Sequence, residues 1–424
     1  MQLSLNYFIV IFIVSSALFA AAVQSESIPS EDIKQVIAKY QTLSLAPVTL
    51  DFNSFWQQLH HDEVNASVNN TDTINKLEKF VQLHQNKQMS LPFCQRLLLG
   101  EIAFQTNLAK ERKQLSAKLA NTFSEYTGSF TDLPNGKAWY RHWLKSWLMA
   151  EVDLDTLTSI AHQELADVKL KRATLINTAL PRNNHSFIQK NHSKIVQAFK
   201  ARERIVNKRT QEVLGVDFQA DAVNIIASTL PKSFPAPGIY NAETQSFIYH
   251  LQQDTFPEKH MDWLFLHEGV PGHHYQSEYA INNAACPNMS TISTSTVFLE
   301  GWAAYVETLG QELGLYQDSD SFEYALDWQA LRAVRVLLDI AIHDQGWTDQ
   351  QAQQLWLTHI PKQKDIMNRE IARIRRWPAQ VITYVYGKSQ VENAVNFLMK
   401  TISKPEAHQK ILALSNLSLL SLKL

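Results

Sequence analysis

His267-Glu-Gly-Val-Pro-Gly-His-His274 closes an apolar run that contains Met261, Trp263, Leu264, Phe265 and Leu266. A His-Glu pair followed closely by two more histidines supplies the residue types that bind zinc and activate its water, so the chain reads first as a metallohydrolase. The spacing differs from the usual zinc-protease helix, in which the histidines stand at i and i+4 on one face; here position i+4 is Pro271. In a regular helix His273 would point away from His267, and His274 would share its face two turns further on. Pro271 removes a backbone donor and Gly272 tolerates unusual dihedrals, so the helix is expected to bulge where the ligands converge. His273 is the expected second ligand, with His274 a supporting or alternate one.

A third ligand is expected from Phe298-Leu-Glu-Gly-Trp-Ala-Ala-Tyr-Val-Glu307, whose apolar residues recur at helical spacing with Glu300 and Glu307 on one face. Glu300 is the better candidate. It is expected to open the helix beside Gly301, whose missing side chain would let the backbone approach the first helix, while Glu307 lies two turns on and supports the site from behind. Two histidines and a carboxylate around one zinc ion leave a coordination position for water. Glu268, rotated around the helix, is the expected general base.

With these two strings and the two blocks below, the sequence resembles the large bacterial family called domain of unknown function 885, whose members are gluzincin-like metallopeptidases. The resemblance covers roughly residues 137 to 400. It implies a mostly helical peptidase fold, zinc, and the His-Glu roles given above, with substrates poorly defined across the family. The family runs longer on its N-terminal side, which implies a more open cleft here or the lack of a substrate-covering element.

The first further block, Leu331 to Trp347, sets Arg332, Arg335, Asp339 and His343 along one helical face in an apolar background. Charges on such a face need partners. Two readings are open: a buried Arg-Asp-His network that fixes the helix, or a cleft in which Arg335 or Arg332 grips a substrate carboxylate and His343 lines the wall. The family usually has glycine at the position of Ala341. The second block is Arg373 to Gly387, in which Pro378 can begin a helix carrying Gln380 and Tyr384 four residues apart on one face. A Tyr384 hydroxyl near the metal would donate to the oxyanion formed when water attacks a carbonyl; the plainer reading is a tyrosine packed between helices. The family pattern has tyrosine and glycine where this chain has Ile374 and Ala379.

Composition agrees with a helical enzyme. Twelve glycines and fourteen prolines in 424 residues fall well below the roughly 12 percent of average chains. A net charge of -2 gives no basic field, so no nucleic-acid partner is expected. Five of the fifteen histidines fall between His250 and His274, but His250 and His260 have no ligand spacing to the motif. Residues 1 to 25 read as a signal peptide, with an apolar core short for a membrane span and the small residues Ala20 to Ala22 at its end. The amino terminus supplies the only positive charge before that core, so an uncleaved anchor stays open as an alternative. The expectation is an exported protein, periplasmic or extracellular, with no stable membrane association after cleavage. Cys94 and Cys286 are the only cysteines, and sequence leaves open whether they pair.

The expected organisation is a signal peptide (1–25), an N-terminal helical region (26–135) and a helical metallopeptidase-like region (136–424). A helix is expected over Leu91 to Tyr126, and Trp139 to Leu175 resembles the family's helical block before the site, with Asp153 or Asp155 as a plausible N-cap inside it. Pro231 to Tyr249 suggests a loop and a short strand, which beside a zinc helix could pair with an extended peptide. Asn282 to Thr296 joins the two metal-bearing helices and is a candidate lid. The fold class expected is mainly α, a large helical zincin-like peptidase fold with a deep cleft and at most a small β element beside the zinc helix. The expected function is zinc-dependent hydrolysis of a peptide substrate. Its alternatives are a zinc hydrolase of non-peptide amides or esters, and a catalytically silent exported binding protein.

Overall fold

Helical periodicity carries through to the structure, a computed structural model describing residues 27–42, 52, 71–118, 125–188, 191–215, 218–232, 234, 236–287 and 295–414. The signal segment, residues 288–294 of the candidate lid and residues 415–424 lie outside the described residues. The N-terminal helices are α1 (Ser30–Thr42), α2 (Thr71–Gln85), α3 (Phe93–Ala117), α4 (Gly136–Leu148), α5 (Leu154–Ile176) and α6 (His192–Leu214). The site-bearing part contains α7 (Met261–Glu268), α8 (His273–Asn283), α9 (Thr296–Glu307) and α10 (Ser319–His343). The chain then continues through α11 (Asp349–His359), α12 (Met367–Arg376), α13 (Ile382–Leu398) and α14 (Lys404–Leu412). The class is mainly α. No helix among the described residues is long and apolar enough to cross a membrane.

Local chemistry explains several boundaries. Asp153 caps α5, accepting from the Thr156 amide at 2.7 Å, and Asp318 caps α10 through Ser321 at 2.8 Å. The stretch from Trp139 to Leu175 divides into α4 and α5 because Met149 adopts a left-handed conformation, φ 51°, which ends a right-handed helix. All eight residues of α7 are buried. Such a segment, buried on every side, belongs in a core rather than on a surface, and its Asp262, His267 and Glu268 must find partners there.

Between α5 and α7 lie β1 (Ser186–Ile188), β2 (Asn224–Ala227), β3 (Gly238–Asn241), β4 (Ser246–Tyr249) and β5 (Thr255–Pro257). β1 pairs with β5, and the other three form a sheet in the order β2-β4-β3. Where a loop and one strand were expected, Pro231 to Tyr249 forms a β3-β4 hairpin in which Ile239 faces Ile248 and Tyr240 faces Phe247. Asn241 closes its turn by accepting from the amides of Glu243 and Thr244 at 3.0 and 3.1 Å. β3 lies on α7: a Cβ on Gly238 would fall 2.9 Å from a Leu264 methyl.

The main core runs from Phe52 to Leu412 and contains α7, α9, α10 and α13. α1, α2 and α3 contribute a smaller cluster with Val36, Ile74, Leu77, Leu98 and Ile102, which Cys286 joins. Cys94 of α3 and Cys286, just after α8, form a disulfide, so the pairing left open by sequence is present.

Candidate metal centre

The apolar run ends where α7 ends. The Gly269 amide still bonds the Phe265 carbonyl at 2.8 Å, after which the chain turns through Val270, Pro271 and Gly272 and starts α8 at His273. The structure therefore has two helices where one bulged helix was expected. Gly272 makes the sharp return feasible: a Cβ there would lie 2.0 Å from the His267 carbonyl oxygen and 2.3 Å from that of Leu266. No other residue tolerates that approach. The Trp302 indole of α9 donates to the Pro271 carbonyl at 2.8 Å, which ties the link to the helix behind it.

The return brings His273 back beside His267. One ligand atom each from His267, His273 and Glu300 lies within 4.8 Å of the others. Glu300 Oε2 stands 3.4 Å from His267 Nε2 and 3.6 Å from His273 Nε2. Two ligands about 2.1 Å from a tetrahedral zinc ion are separated by roughly 3.4 Å, so this spacing fits a shared ion. The same Glu300 oxygen is buried and has no hydrogen-bond partner, a costly arrangement that a cation would relieve. Glu300 lies in the second turn of α9 rather than opening it.

Glu300 and Glu307, seven residues apart on α9, bracket one imidazole. Glu300 faces His267 Nε2, and Glu307 Oε1 accepts from His267 Nδ1 at 2.7 Å. A proton fixed on Nδ1 leaves the Nε2 lone pair directed at the ion position. Glu307 is held in turn by Arg332, whose Nη1 lies 2.6 Å from Oε2. Burial alone would raise the Glu307 carboxyl, but the Arg332 guanidinium and His267 hold it below its ordinary range. Burial would likewise push His267 down, yet the Glu300 and Glu307 carboxylates lift it to about 9. Arg332 also lies 5.5 Å above the Trp263 ring and 5.0 Å from the Tyr384 ring centre, so its charge is enclosed by aromatic faces.

Glu268 is buried, and burial raises its carboxyl above the ordinary value, opposed by His267 and His273. The Tyr240 backbone of β3 also acts to lower it, which places the sheet edge beside the carboxylate. Tyr384 of α13 stacks on the imidazole, its ring 6.3 Å from that of His267. The space left by the missing Gly301 side chain is taken by Gly387 of α13, the helix that carries Tyr384, where sequence had suggested the first helix.

The remaining expected site residues divide. His274 is turned away from the ion position, with Nε2 at 2.8 Å from the Asp221 carbonyl and Nδ1 at 3.3 Å from the Tyr240 hydroxyl. Arg335 gives both Nε and Nη2 to Glu370 at 2.8 and 2.6 Å. Its buried guanidinium has no face for a substrate. His343 is fully buried with Nε2 at 3.1 Å from the Ile374 carbonyl, so it does not line a cleft. Asp339 accepts from Tyr140 at 2.7 Å and from the Ala379 amide at 2.9 Å. The polar stripe is thus four separate anchorages rather than one network. Gln380 accepts from Arg373 at 2.9 Å and lies in the turn before α13, because Ala379 has φ 65° and delays the helix to Ile382. Sequence reasoning assigned no role to Arg373 or to the Tyr240 backbone. The first could have been found from the arginine spacing in α12; the second has no signal in the sequence.

Residues 188–396 match the family described as "Bacterial protein of unknown function (DUF885)". No curated protein matches the chain significantly. Among solved structures, a "putative lipoprotein" from Colwellia psychrerythraea is similar with TM-score 0.59 and 18% identity, over 93% of this chain and 75% of that one. A second "putative lipoprotein", from Shewanella oneidensis, is similar with TM-score 0.54 and 15% identity, over 93% and 84% of the two chains. A Pyrococcus furiosus carboxypeptidase superposes with TM-score 0.44 and 12% identity over 92% and 90%.

Proposed function

The chain belongs to the DUF885 family through residues 188–396, and on that premise we propose that it is an exported zinc-dependent peptidase. The observation that carries this reading is the convergence of His267 Nε2, His273 Nε2 and the unpartnered Glu300 Oε2 beside the buried Glu268 carboxylate. Two histidines and one carboxylate form the donor set of catalytic zinc sites that keep a position open. Zinc held there would supply Lewis acidity, polarising a carbonyl and making water acidic enough to attack near neutral pH.

The chain's own residues divide the remaining work. Glu268 takes the proton from the attacking water and delivers it to the leaving nitrogen. The Tyr384 hydroxyl, on a ring stacked 6.3 Å from that of His267, donates to the developing oxyanion. Glu307 and Arg332 hold His267 in the tautomer and orientation that ligation needs. β3 offers its outer edge to an extended chain, with the Tyr240 backbone marking the level of Glu268; pairing of this kind suits a peptide better than a compact ester. Export is supported by the amino-terminal apolar segment and by the description of two structurally similar proteins as lipoproteins.

The test is metal analysis of the purified protein together with peptide-library digestion by wild type and Glu268→Gln. Stoichiometric zinc, cleavage by wild type and its loss in the variant are expected. Cleavage retained by Glu268→Gln would overturn the assignment of the base, and a metal-free wild type would overturn the enzyme.

A further inference from the structure

α12 carries Arg369, Arg373 and Arg376 at intervals of four and three residues, which puts them on one helical face. That face borders a cavity of about 470 Å³ whose apolar walls are Trp147, Phe234 and Trp377. Like charges one turn apart weaken a helix unless something offsets them. Within α12 the offset is incomplete. Glu370 is 1% exposed and committed to Arg335 at 2.6 Å, with Arg369 at 3.8 Å on its other oxygen and the charge of Arg373 also acting on it. Three guanidinium groups therefore share one carboxylate. The Arg369 Nε is buried without a hydrogen-bond partner, and Arg373 donates to the uncharged Gln380.

Arg373 links this cavity to Tyr384, beside the candidate metal centre. Arg373 interacts with the Tyr384 hydroxyl, and Tyr384 stacks 6.3 Å from His267. A group bound against Arg369 and Arg373 would thus belong to a substrate residue close to the bond that Tyr384 addresses. Arg332 and Arg335, the arginines that sequence suggested for this task, are consumed by Glu307 and Glu370.

We propose that this cavity is a substrate subsite in which Arg369 and Arg373 bind a carboxylate while Trp147, Phe234 and Trp377 enclose a large apolar side chain beside it. The proposal rests on the peptidase reading and narrows it to peptides carrying that carboxylate near the scissile bond. Guanidinium forks suit carboxylates because they donate in a matching planar geometry. Aromatic walls around a few charged groups are the usual build of a ligand pocket. The carboxylate can be a chain terminus or an acidic side chain, and the experiment separates the two.

Zinc-loaded Glu268→Gln protein, which binds without turning substrate over, is titrated calorimetrically with Ala-Ala-Ala-Phe as the free acid, the same peptide as its C-terminal amide, and Ala-Ala-Glu-Phe amide. One of the two carboxylate-bearing peptides is expected to bind about tenfold or more tightly than the neutral amide, as a charge-assisted pair implies. Preference for the free acid identifies a chain terminus, and preference for the glutamyl amide identifies a side chain. Arg369→Gln in the same background should abolish the preference without weakening the neutral amide. Equal binding of all three peptides, no binding of any, or a preference that survives both Arg369→Gln and Arg373→Gln overturns the subsite. If wild type fails to cleave these peptides while the carboxylate preference holds, the subsite stands and the peptidase reading falls.

Discussion

Gly301 and Gly387 meet backbone to backbone. A Cβ on Gly301 would lie 2.4 Å from the Gly387 carbonyl carbon, and one on Gly387 would lie 2.1 Å from the Val297 carbonyl oxygen. The contact locks α9, which carries Glu300 and Glu307, against α13, which carries Tyr384. These two helices make the most extensive contact between elements of the described fold, and the glycine crossing sets how far the Glu300 carboxylate stands from the tyrosine.

Gly301→Ala should therefore push the helices apart. Overpacking of this kind typically costs about 1–3 kcal/mol, and because Glu300 is the adjacent residue, zinc affinity should fall as well. Denaturant unfolding and competition titration with a zinc chelator measure the two effects. A variant with wild-type stability and wild-type zinc affinity would show that the crossing does not govern the site.

Removing the carboxylate behind His267 isolates the orienting role of Glu307. Glu307→Gln keeps the shape and a hydrogen-bond acceptor but loses the charge that His267 and Arg332 share. Zinc affinity should drop roughly 10- to 100-fold, the usual effect of such outer partners. Unchanged affinity in the same chelator competition would count against the Glu307–His267 bond as a determinant of ligation.

Asp339 provides a pH signature remote from the metal. Burial pushes its carboxyl up to about 7, opposed by the bonds from Tyr140 and Ala379. The folded protein thus holds this proton more tightly than the unfolded chain, whose aspartate titrates near 3.8. The sign follows: this contribution to stability is fully present below about pH 4, declines as pH rises, and is gone above about pH 7. Asp339→Asn mimics the protonated form, so wild-type stability relative to the variant should fall by up to roughly 4 kcal/mol across that window. Urea unfolding of both proteins at several pH values reads the difference, and a constant offset would refute the elevated Asp339 value.

The cluster of His267, His273 and Glu300 was legible because its residues are concentrated in two short strings, and because helical periodicity places Glu300 and Glu307 on one face. Sequence could not show that α7 stops at Glu268. The break depends on Gly272 lying against the carbonyls of Leu266 and His267, a tertiary contact with no local signature beyond glycine itself. For the same reason Gly301 signalled a close approach but not its partner: α7 was expected, and the glycine that meets it is Gly387 of α13. The stripe from Arg332 to His343 announced buried polar groups, but their partners Glu307, Glu370, Tyr140 and the Ile374 carbonyl come from elsewhere in the chain. Burial is periodic in sequence; pairing across helices is not.

Ala379 offers a small stabilisation. It adopts φ 65° with its side chain fully buried, a conformation that glycine takes without penalty. Ala379→Gly should raise stability by about 0.5–1 kcal/mol, the relief of the left-handed backbone outweighing the extra freedom gained by the unfolded chain. A fall in the denaturation midpoint would mean that the Ala379 methyl contributes more through packing than its backbone costs.

Zinc-edge anomalous diffraction from crystals of the protein tests the central claim most directly. One anomalous peak is expected per chain, about 2.0–2.2 Å from His267 Nε2, His273 Nε2 and Glu300 Oε2. A peak ligated instead by His274, or zinc bound only at surface histidines with these three side chains unligated, would contradict it.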